Sequence, residues 1–191
     1  MSLSEPLLEE AGSRSQYLHP RGLVLLAERH EPRDGEGPGV ARAAVFDHAE
    51  ALDERGSHLD AGAFASALDE AIVDADEWAD ETSVYRVGDD RLSAYPQAWH
   101  DALGGSRDLV EMVRYLTDTD FEGVEAWADG TVPEDDLLDI AAAVGGFDRE
   151  AAKAELERLR DEGRLVEDAD QHPDAGVYPP EADQESDVKS G

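Results

Sequence analysis

Apolar residues recur at helical spacing from Val40 onward, and the first two stretches predict two helices joined by a short link. Asp60 stands before the second stretch, where its side chain can cap the helix. The pattern changes at residues 83–96, where β-favouring residues surround a Gly-Asp-Asp turn and predict a β-hairpin. Residues 40–103 are therefore expected to form a helix–helix–hairpin unit. Its apolar helix positions are Val45, Ala49, Leu52, Phe64, Ala65, Leu68, Ala71 and Ile72.

Two glycines, Gly104 and Gly105, separate this unit from a further helical pattern and predict a domain boundary. Ser106 is expected to cap the helix that follows. A short helix is also expected before Gly130, with Val124 and Trp127 facing inward. The buried face of the helix after Ser106 is predicted to carry Leu109, Met112, Val113 and Leu116.

The next segment predicts two short helices separated by a tight turn. Thr131 and Glu134 have the spacing of a capping box, and the helix they begin should stop at the glycine pair 145–146. Asp148 is expected to cap the second helix, which should end at Gly163. The apolar face of that helix is predicted to carry Ala152, Leu156 and Leu159.

Two short strands, at residues 164–168 and 176–180, are expected to close the segment as a hairpin. With this hairpin, the stretch PEDDLLDIAAAVGGFDREAAKAELERLRDEGRLVED and the later GVYPP resemble the winged-helix family of nucleic-acid-binding and regulatory domains. The resemblance implies a recognition helix at residues 149–162 and a wing at residues 164–178. In that family the recognition helix enters the major groove of DNA. A fold does not by itself fix a function.

Residues 40–103 run in the same order, and their hairpin ends in Tyr95-Pro96 as the later one ends in Tyr178-Pro179. A divergent second winged helix is therefore an alternative interpretation of the first unit. The predicted fold class is α+β, mostly α, with a winged-helix-like C-terminal domain at residues 106–180 preceded by a helical unit with a β-hairpin.

The two ends of the chain are predicted to be disordered. Residues 1–39 are expected to form a mostly disordered N-terminal arm, because a polar, acidic start is followed by a segment rich in proline and glycine. Residues 181–191 are expected to form an acidic tail. The arm carries four arginines, and the sequence leaves open whether it touches a partner or has no folded role. These are Arg14, Arg21, Arg29 and Arg33.

Composition indicates the solvent in which the protein works. The chain has 47 Asp and Glu against 16 Lys and Arg, a net charge of −31, and resembles cytoplasmic proteins of extreme halophiles of the haloarchaeal type. At molar salt the screening length falls to about 3 Å, so such a surface is tolerated there. No signal peptide or membrane-spanning stretch is recognised, and a soluble, cytoplasmic protein is expected. The chain lacks cysteine, which excludes disulfides and thiolate zinc sites.

Chemical motifs do not indicate an enzyme. The sequence has no GxSxG, GxxxxGK[ST] or GxGxxG, and its six histidines form no helical pair, so no catalytic, cofactor or metal site is expected. The histidines are interpreted as isolated surface residues. The three tryptophans, Trp78, Trp99 and Trp127, are interpreted as core anchors.

Five of the sixteen cations fall within residues 149–164. On a helix, Arg149, Lys153 and Arg160 lie within about 40° of one another beside the apolar face, which could serve phosphate contacts. The alternative is a solvated helix on which Lys153 and Arg160 pair with Glu157. The nucleic-acid-binding residues of the first hypothesis are Arg149, Lys153, Arg158, Arg160 and Arg164.

The leading hypothesis is a non-enzymatic regulatory protein of winged-helix type, binding DNA in transcription regulation at high salt. The alternative is a protein–protein interaction adaptor that uses the same domain without nucleic acid. The sequence does not indicate the DNA target, the protein partner, an effector ligand or the oligomeric state.

Overall fold

The structure, a computed structural model, describes residues 3–14, 16, 18–30, 37–80, 82–118, 131–167 and 176–178. The chain divides into two compact units, which are here called the N-terminal unit, Met1–Gly104, and the C-terminal unit, Gly105–Gly191. The described part is α+β and mostly helical, with small sheets.

The N-terminal unit contains five helices and a four-stranded sheet within the described residues. The sheet has the order β1-β4-β3-β2, in which β2 runs parallel to β3 and the other pairs are antiparallel. The elements are α1 (Glu5–Arg14), α2 (Pro20–His30), β1 (Val40–Ala41), α3 (Arg42–Glu54), α4 (Ala61–Ala71), β2 (Ile72–Val73), β3 (Val84–Gly88), β4 (Arg91–Ser93) and α5 (Gln97–Leu103).

The prediction that residues 1–39 form a disordered arm is wrong for α1 and α2, which are helices. Leu7 and Leu8 on α1, and Leu23 and Val24 on α2, are buried in the core that α3 and α4 share. The two helices are short, so their order comes from packing these buried residues against the rest of the unit. The proline- and glycine-rich residues 31–36 lie outside the described residues.

The predicted helices and hairpin of residues 40–103 are confirmed, except that Ile72, expected on the second helix, lies in β2. Val45 and Leu52 on α3, and Phe64 and Leu68 on α4, are buried. The Asp60 side chain caps α4 by accepting a hydrogen bond from the Ala63 amide at 2.7 Å. Strands β3 and β4 form the hairpin, and β4 also pairs with β1, which the sequence analysis did not predict.

The C-terminal unit contains three described helices and a three-stranded antiparallel sheet of order β5-β7-β6. The predicted hairpin is confirmed at β6 and β7. Strand β5 was not predicted, and the predicted tail at residues 181–191 lies outside the described residues. The elements are α6 (Leu109–Asp118), β5 (Val132–Pro133), α7 (Glu134–Ala143), α8 (Arg149–Asp161), β6 (Val166–Glu167) and β7 (Gly176–Tyr178).

Two predicted helix caps of this unit are wrong. Asp108, not Ser106, accepts the Glu111 amide at the start of α6, at 3.1 Å. Helix α7 begins at Glu134 with no side-chain cap hydrogen bond, and residues 132 and 133, which separate Thr131 from the helix, are extended in β5. The predicted short helix with Val124 and Trp127 lies outside the described residues.

The turn between α7 and α8 requires glycine. A Cβ atom on Gly145 would lie 2.5 Å from the Ser106 carbonyl oxygen and 2.7 Å from that of Ala141. Gly146 has a positive φ of 68°, a conformation that glycine adopts without strain. These two residues turn the chain sharply, so that α8 packs against α7.

Replacing Asp148 with alanine is expected to destabilise the C-terminal unit by about 1 kcal/mol, because the Asp148 carboxylate accepts the Ala151 amide at 3.0 Å at the start of α8. The free energy of unfolding of the two proteins should be compared at constant KCl concentration. Asp148→Asn is the matched control, since it removes the same charge and keeps a capping oxygen. Equal losses in both variants would contradict the capping role.

The two units share one order of elements. In each, a helix leads to a two-residue strand, two helices and a hairpin, and the two-residue strand pairs with the second strand of the hairpin. The elements are α2-β1-α3-α4-β3-β4 and α6-β5-α7-α8-β6-β7, with α1, β2 and α5 as additions in the N-terminal unit among the described residues. In both, the helix before the hairpin begins after an aspartate that accepts the amide three residues on.

Candidate functional site

Helix α8 carries the cations that the sequence predicts as a nucleic-acid surface, and two of them bind α7. Arg149 donates from Nε to Asp139 at 3.1 Å and from Nη2 to Asp135 at 2.9 Å. Arg160 donates from Nη2 to Glu134 at 2.7 Å. All three carboxylates belong to α7, so these arginines fasten the two helices together.

The electrostatics of Arg149 reflect this position. Burial lowers the pKa of the Arg149 guanidinium, but the charge of Asp139 and the hydrogen bonds to Asp139 and Asp135 outweigh burial and raise it. The positive charge of Arg149 is therefore balanced by two negative charges within the unit. An arginine balanced in this way has little net charge to offer a phosphate.

Arg158 is paired along α8 itself. Its Nε donates to Glu155 at 2.9 Å, and its Nη1 donates to Glu162 at 2.6 Å. The hydrogen bond to Glu155 raises the pKa of Arg158, and the same bond lowers the pKa of Glu155. This is the arrangement of a solvated helix surface, where i, i+3 and i, i+4 pairs of opposite charge meet.

Lys153 and Arg164 are exposed, and neither forms an ion pair within the part of the chain that the structure describes. Arg164 follows the end of α8, where its amide donates to the Leu159 carbonyl at 2.9 Å. The expected pairing of Lys153 and Arg160 with Glu157 is wrong, because Arg160 reaches across to Glu134 on α7. Of the five predicted residues, two bind α7, one is paired along α8, and two form no ion pair within the described part of the chain.

A buried polar cluster in the N-terminal unit was not predicted. This group, called the Glu28 cluster, consists of Glu28 on α2, Ser93 at the end of β4 and His100 on α5, all buried. The Ser93 hydroxyl lies 2.6 Å from Oε1 of Glu28 and 2.8 Å from Nε2 of His100. The Ala94 amide donates to Oε2 of Glu28 at 3.0 Å, and the Tyr95 amide donates to the Ser93 hydroxyl at 3.0 Å.

The geometry of the Glu28 cluster suits a structural tie rather than nucleophilic catalysis. In a catalytic triad the carboxylate and the nucleophile contact opposite nitrogens of the imidazole. Here Glu28 lies 3.9 Å from Nε2 of His100, the nitrogen that Ser93 also contacts. The side chains of Glu28 and His100 are each 2% exposed, so the cluster joins α2, β4 and α5 inside the unit.

The interpretation of the histidines as surface residues is wrong for two of them. His100 is buried in the Glu28 cluster, and His48 is 1% exposed on α3. Nδ1 of His48 lies 2.7 Å from the Ala44 carbonyl oxygen, and the Ser4 amide donates to Nε2 at 3.3 Å. Because Ser4 precedes α1, this contact could be foreseen only by placing α1 in the folded unit.

An aromatic cluster lies near the Glu28 cluster in sequence and in the same unit. Trp99 is fully buried and stacks on Trp78, with ring centroids 5.2 Å apart, and on Tyr95, at 5.4 Å. Trp78 is half-buried and Tyr95 is buried. The prediction of a core anchor is thus confirmed for Trp99, while Trp127 lies outside the described residues.

Arg21 of α2 completes this cluster. Its guanidinium carbon lies 5.1 Å from the ring centroid of Tyr95 and 5.5 Å from that of Trp78. Its Nε donates to the Ala94 carbonyl oxygen at 3.1 Å. This contact was not predicted, because Arg21 lies in the segment that was expected to be a disordered arm. Arg21 and Trp78 are half-buried and Tyr95 is buried, so Arg21 and Trp78 are the part of this cluster that reaches the surface.

Beside the cluster, Tyr85 of β3 accepts the Ala79 amide at its hydroxyl, at 2.8 Å, and burial raises its pKa. The Ala98 amide of α5 donates to the Asp76 carbonyl oxygen at 2.9 Å. These two bonds fix the loop that carries Trp78, so the tryptophan is held in place for stacking.

Comparisons with protein-family models, with curated proteins and with solved structures found no match for this chain. Among the described residues, no group of three or more His, Cys, Asp or Glu side chains could hold a metal ion. No helix in that part of the chain is long and apolar enough to cross a membrane.

Proposed function

We propose that the protein is a non-enzymatic regulatory protein with two winged helices in tandem. The support is the order of helix, strand, helix, helix and hairpin, together with a sheet in which the first strand pairs with the second strand of the hairpin. This order occurs in both units. Under this assignment, α4 and α8 take the recognition-helix position and the hairpins β3–β4 and β6–β7 take the wing position.

Within this class, we propose that the protein binds another protein and not DNA. One observation carries the choice: Arg149 and Arg160, the two arginines expected to contact phosphate, are bound to carboxylates of α7. To contact DNA they would have to leave these partners, and Asp135, Asp139 and Glu134 would then face the phosphates. Like charges at that distance oppose binding even when salt screens the longer-range field.

The corresponding helix of the N-terminal unit supports the same choice. Helix α4 has the sequence AGAFASALDEA, with two acidic residues, Asp69 and Glu70, and no lysine or arginine. Neither helix in the recognition position therefore presents an excess of positive charge, which nucleic-acid binding requires as its largest sequence-independent contribution.

Retention of genomic DNA fragments on the immobilised full-length protein tests this proposal. At about 2 M KCl, where the acidic chain is expected to be folded, we expect no fragment to be retained above a column without protein. The same measurement on Lys153→Gln combined with Arg164→Gln addresses the two cations of the predicted site that form no ion pair among the described residues. The matched control is Arg55→Gln combined with Arg86→Gln, which removes the same charge from the N-terminal unit.

Retention of DNA by the parent protein that is lost in the Lys153 and Arg164 double variant but not in the control would overturn the proposal. It would establish instead the DNA-binding function that the sequence suggested. Retention that both double variants reduce equally would indicate nonspecific attraction and would leave the protein-binding proposal in place.

A further inference from the structure

We propose that Arg21, held between the rings of Trp78 and Tyr95, binds a carboxylate on an acidic segment of a protein partner. This inference rests on the proposed protein-binding function and names the chemistry of one contact. The three residues are here called the Arg21 clamp. All of them belong to the N-terminal unit, and two of them, Arg21 and Trp78, are half-buried and reach the surface.

Arg21 is fixed before any partner arrives. Its guanidinium lies over two aromatic rings, at 5.1 and 5.5 Å from their centroids, and the bond from Nε to Ala94 fixes its rotation. Trp78 is in turn stacked on the buried Trp99. An arginine immobilised in this way loses little conformational entropy on binding, so more of the contact energy appears as affinity.

The terminal amino groups of Arg21 remain available for a ligand. Arg21 uses Nε for the backbone, and within the described residues its two terminal amino groups have no hydrogen-bond acceptor and no ion-pair partner. The other described arginines of this unit bind carboxylates or, for Arg91, backbone carbonyl oxygens. Arg21 thus differs from these neighbours, each of which has such a partner among the described residues.

The guanidinium of Arg21 suits a carboxylate better than a phosphate. A planar guanidinium edge with two amino groups matches a planar carboxylate, which it can bind through two parallel hydrogen bonds. Phosphate carries more charge and is usually held by several cations, whereas Arg21 is the one described cation that lies over these rings. The half-buried ring of Trp78 beside it favours a protein segment over a free acid, because this ring contributes apolar contact area.

Titration of the full-length protein with a tetraglutamate peptide, blocked at both ends, tests the proposal at about 2 M KCl. Tryptophan fluorescence is the readout, because Trp78 stacks beside Arg21. We expect a saturable change with tetraglutamate and none with blocked tetraglutamine. Arg21→Lys should weaken binding at least about tenfold, because lysine keeps the charge but loses the paired donors and the stacking. Arg55→Lys is the matched control and should bind as the parent does, since Arg55 is already paired with Glu5.

Three results would overturn the proposal: no saturable response in the parent protein, equal binding by Arg21→Lys, or tighter binding of duplex DNA than of the peptide at the same site. If acetate saturates the fluorescence change at the same carboxylate concentration as tetraglutamate, the site binds free acids, and the proposal of a protein partner is wrong. If Arg21→Lys does not fold, Trp78→Leu carries the test, and its binding is compared with that of the parent protein by isothermal titration calorimetry because the change removes the fluorescent reporter. The variant keeps Arg21, removes one ring and should weaken binding. If the peptide titration gives one of these results and the protein also retains no DNA, carboxylate binding by the Arg21 clamp is excluded but the proposed protein-binding function is not.

Discussion

Replacing Glu28 with alanine is expected to destabilise the N-terminal unit by about 3 kcal/mol, because the change leaves buried hydrogen-bonding groups without their acceptor. The Ser93 hydroxyl and the Ala94 amide both donate to the Glu28 carboxylate, and His100 lies 3.9 Å from it. Water cannot easily replace the carboxylate, since the residues around it are buried. The free energy of unfolding should be measured by chemical denaturation at constant KCl, with the near-ultraviolet circular dichroism of the tryptophans as the signal.

Glu9→Ala is the matched control for this experiment. Glu9 is exposed on α1, so its removal changes the net charge equally without opening a buried site. We expect its effect on the free energy of unfolding to stay within about 0.5 kcal/mol. If Glu28→Ala is no more destabilising than Glu9→Ala, the cluster does not hold α2, β4 and α5 together.

Transfer from about 3 M to below about 0.5 M KCl is expected to unfold or expand the protein. The screening length grows as the salt concentration falls, so repulsion between carboxylates is less well screened. Neighbouring carboxylates on a chain of net charge −31 then repel one another more strongly. Several of the ion pairs are exposed, such as Arg55 with Glu5 and Arg86 with Asp74, and exposed pairs contribute little stability. They cannot offset repulsion among the remaining carboxylates.

Thermal unfolding followed by circular dichroism across this range of KCl checks the expectation, and the midpoint should rise steeply with salt. The same series in isosmotic sucrose separates screening from the general effect of excluded solutes. A midpoint that stays constant from about 0.1 to 3 M KCl would show that carboxylate repulsion does not limit the fold.

The parts of the fold that the sequence predicted are those determined by local pattern. Helices α3, α4 and α8 each have apolar residues at helical spacing, and α4 and α8 also follow an aspartate cap. Strands β1 and β5 were missed because two residues carry no periodicity, and each exists through pairing with a hairpin strand far along the chain. Helices α1 and α2 were missed because their burial comes from packing against other elements.

The candidate sites were less predictable because they join distant residues. A helical projection places Arg149, Lys153 and Arg160 correctly on α8 but does not show the carboxylates that α7 brings to two of them. The Glu28 cluster joins side chains separated by 65 residues of sequence, and the Arg21 clamp joins Arg21 to an aromatic cluster that begins at Trp78. No spacing rule covers such distances.

The hydroxyl of Ser93 also assigns a proton within the Glu28 cluster. A hydroxyl donates one hydrogen bond and accepts two. Ser93 donates to the carboxylate of Glu28 and accepts from the Tyr95 amide, so its contact with His100 must be one in which Nε2 carries the hydrogen. The imidazole of His100 is thereby restricted to the Nε2–H tautomer or the imidazolium, a restriction that nitrogen chemical shifts of the labelled ring can read directly.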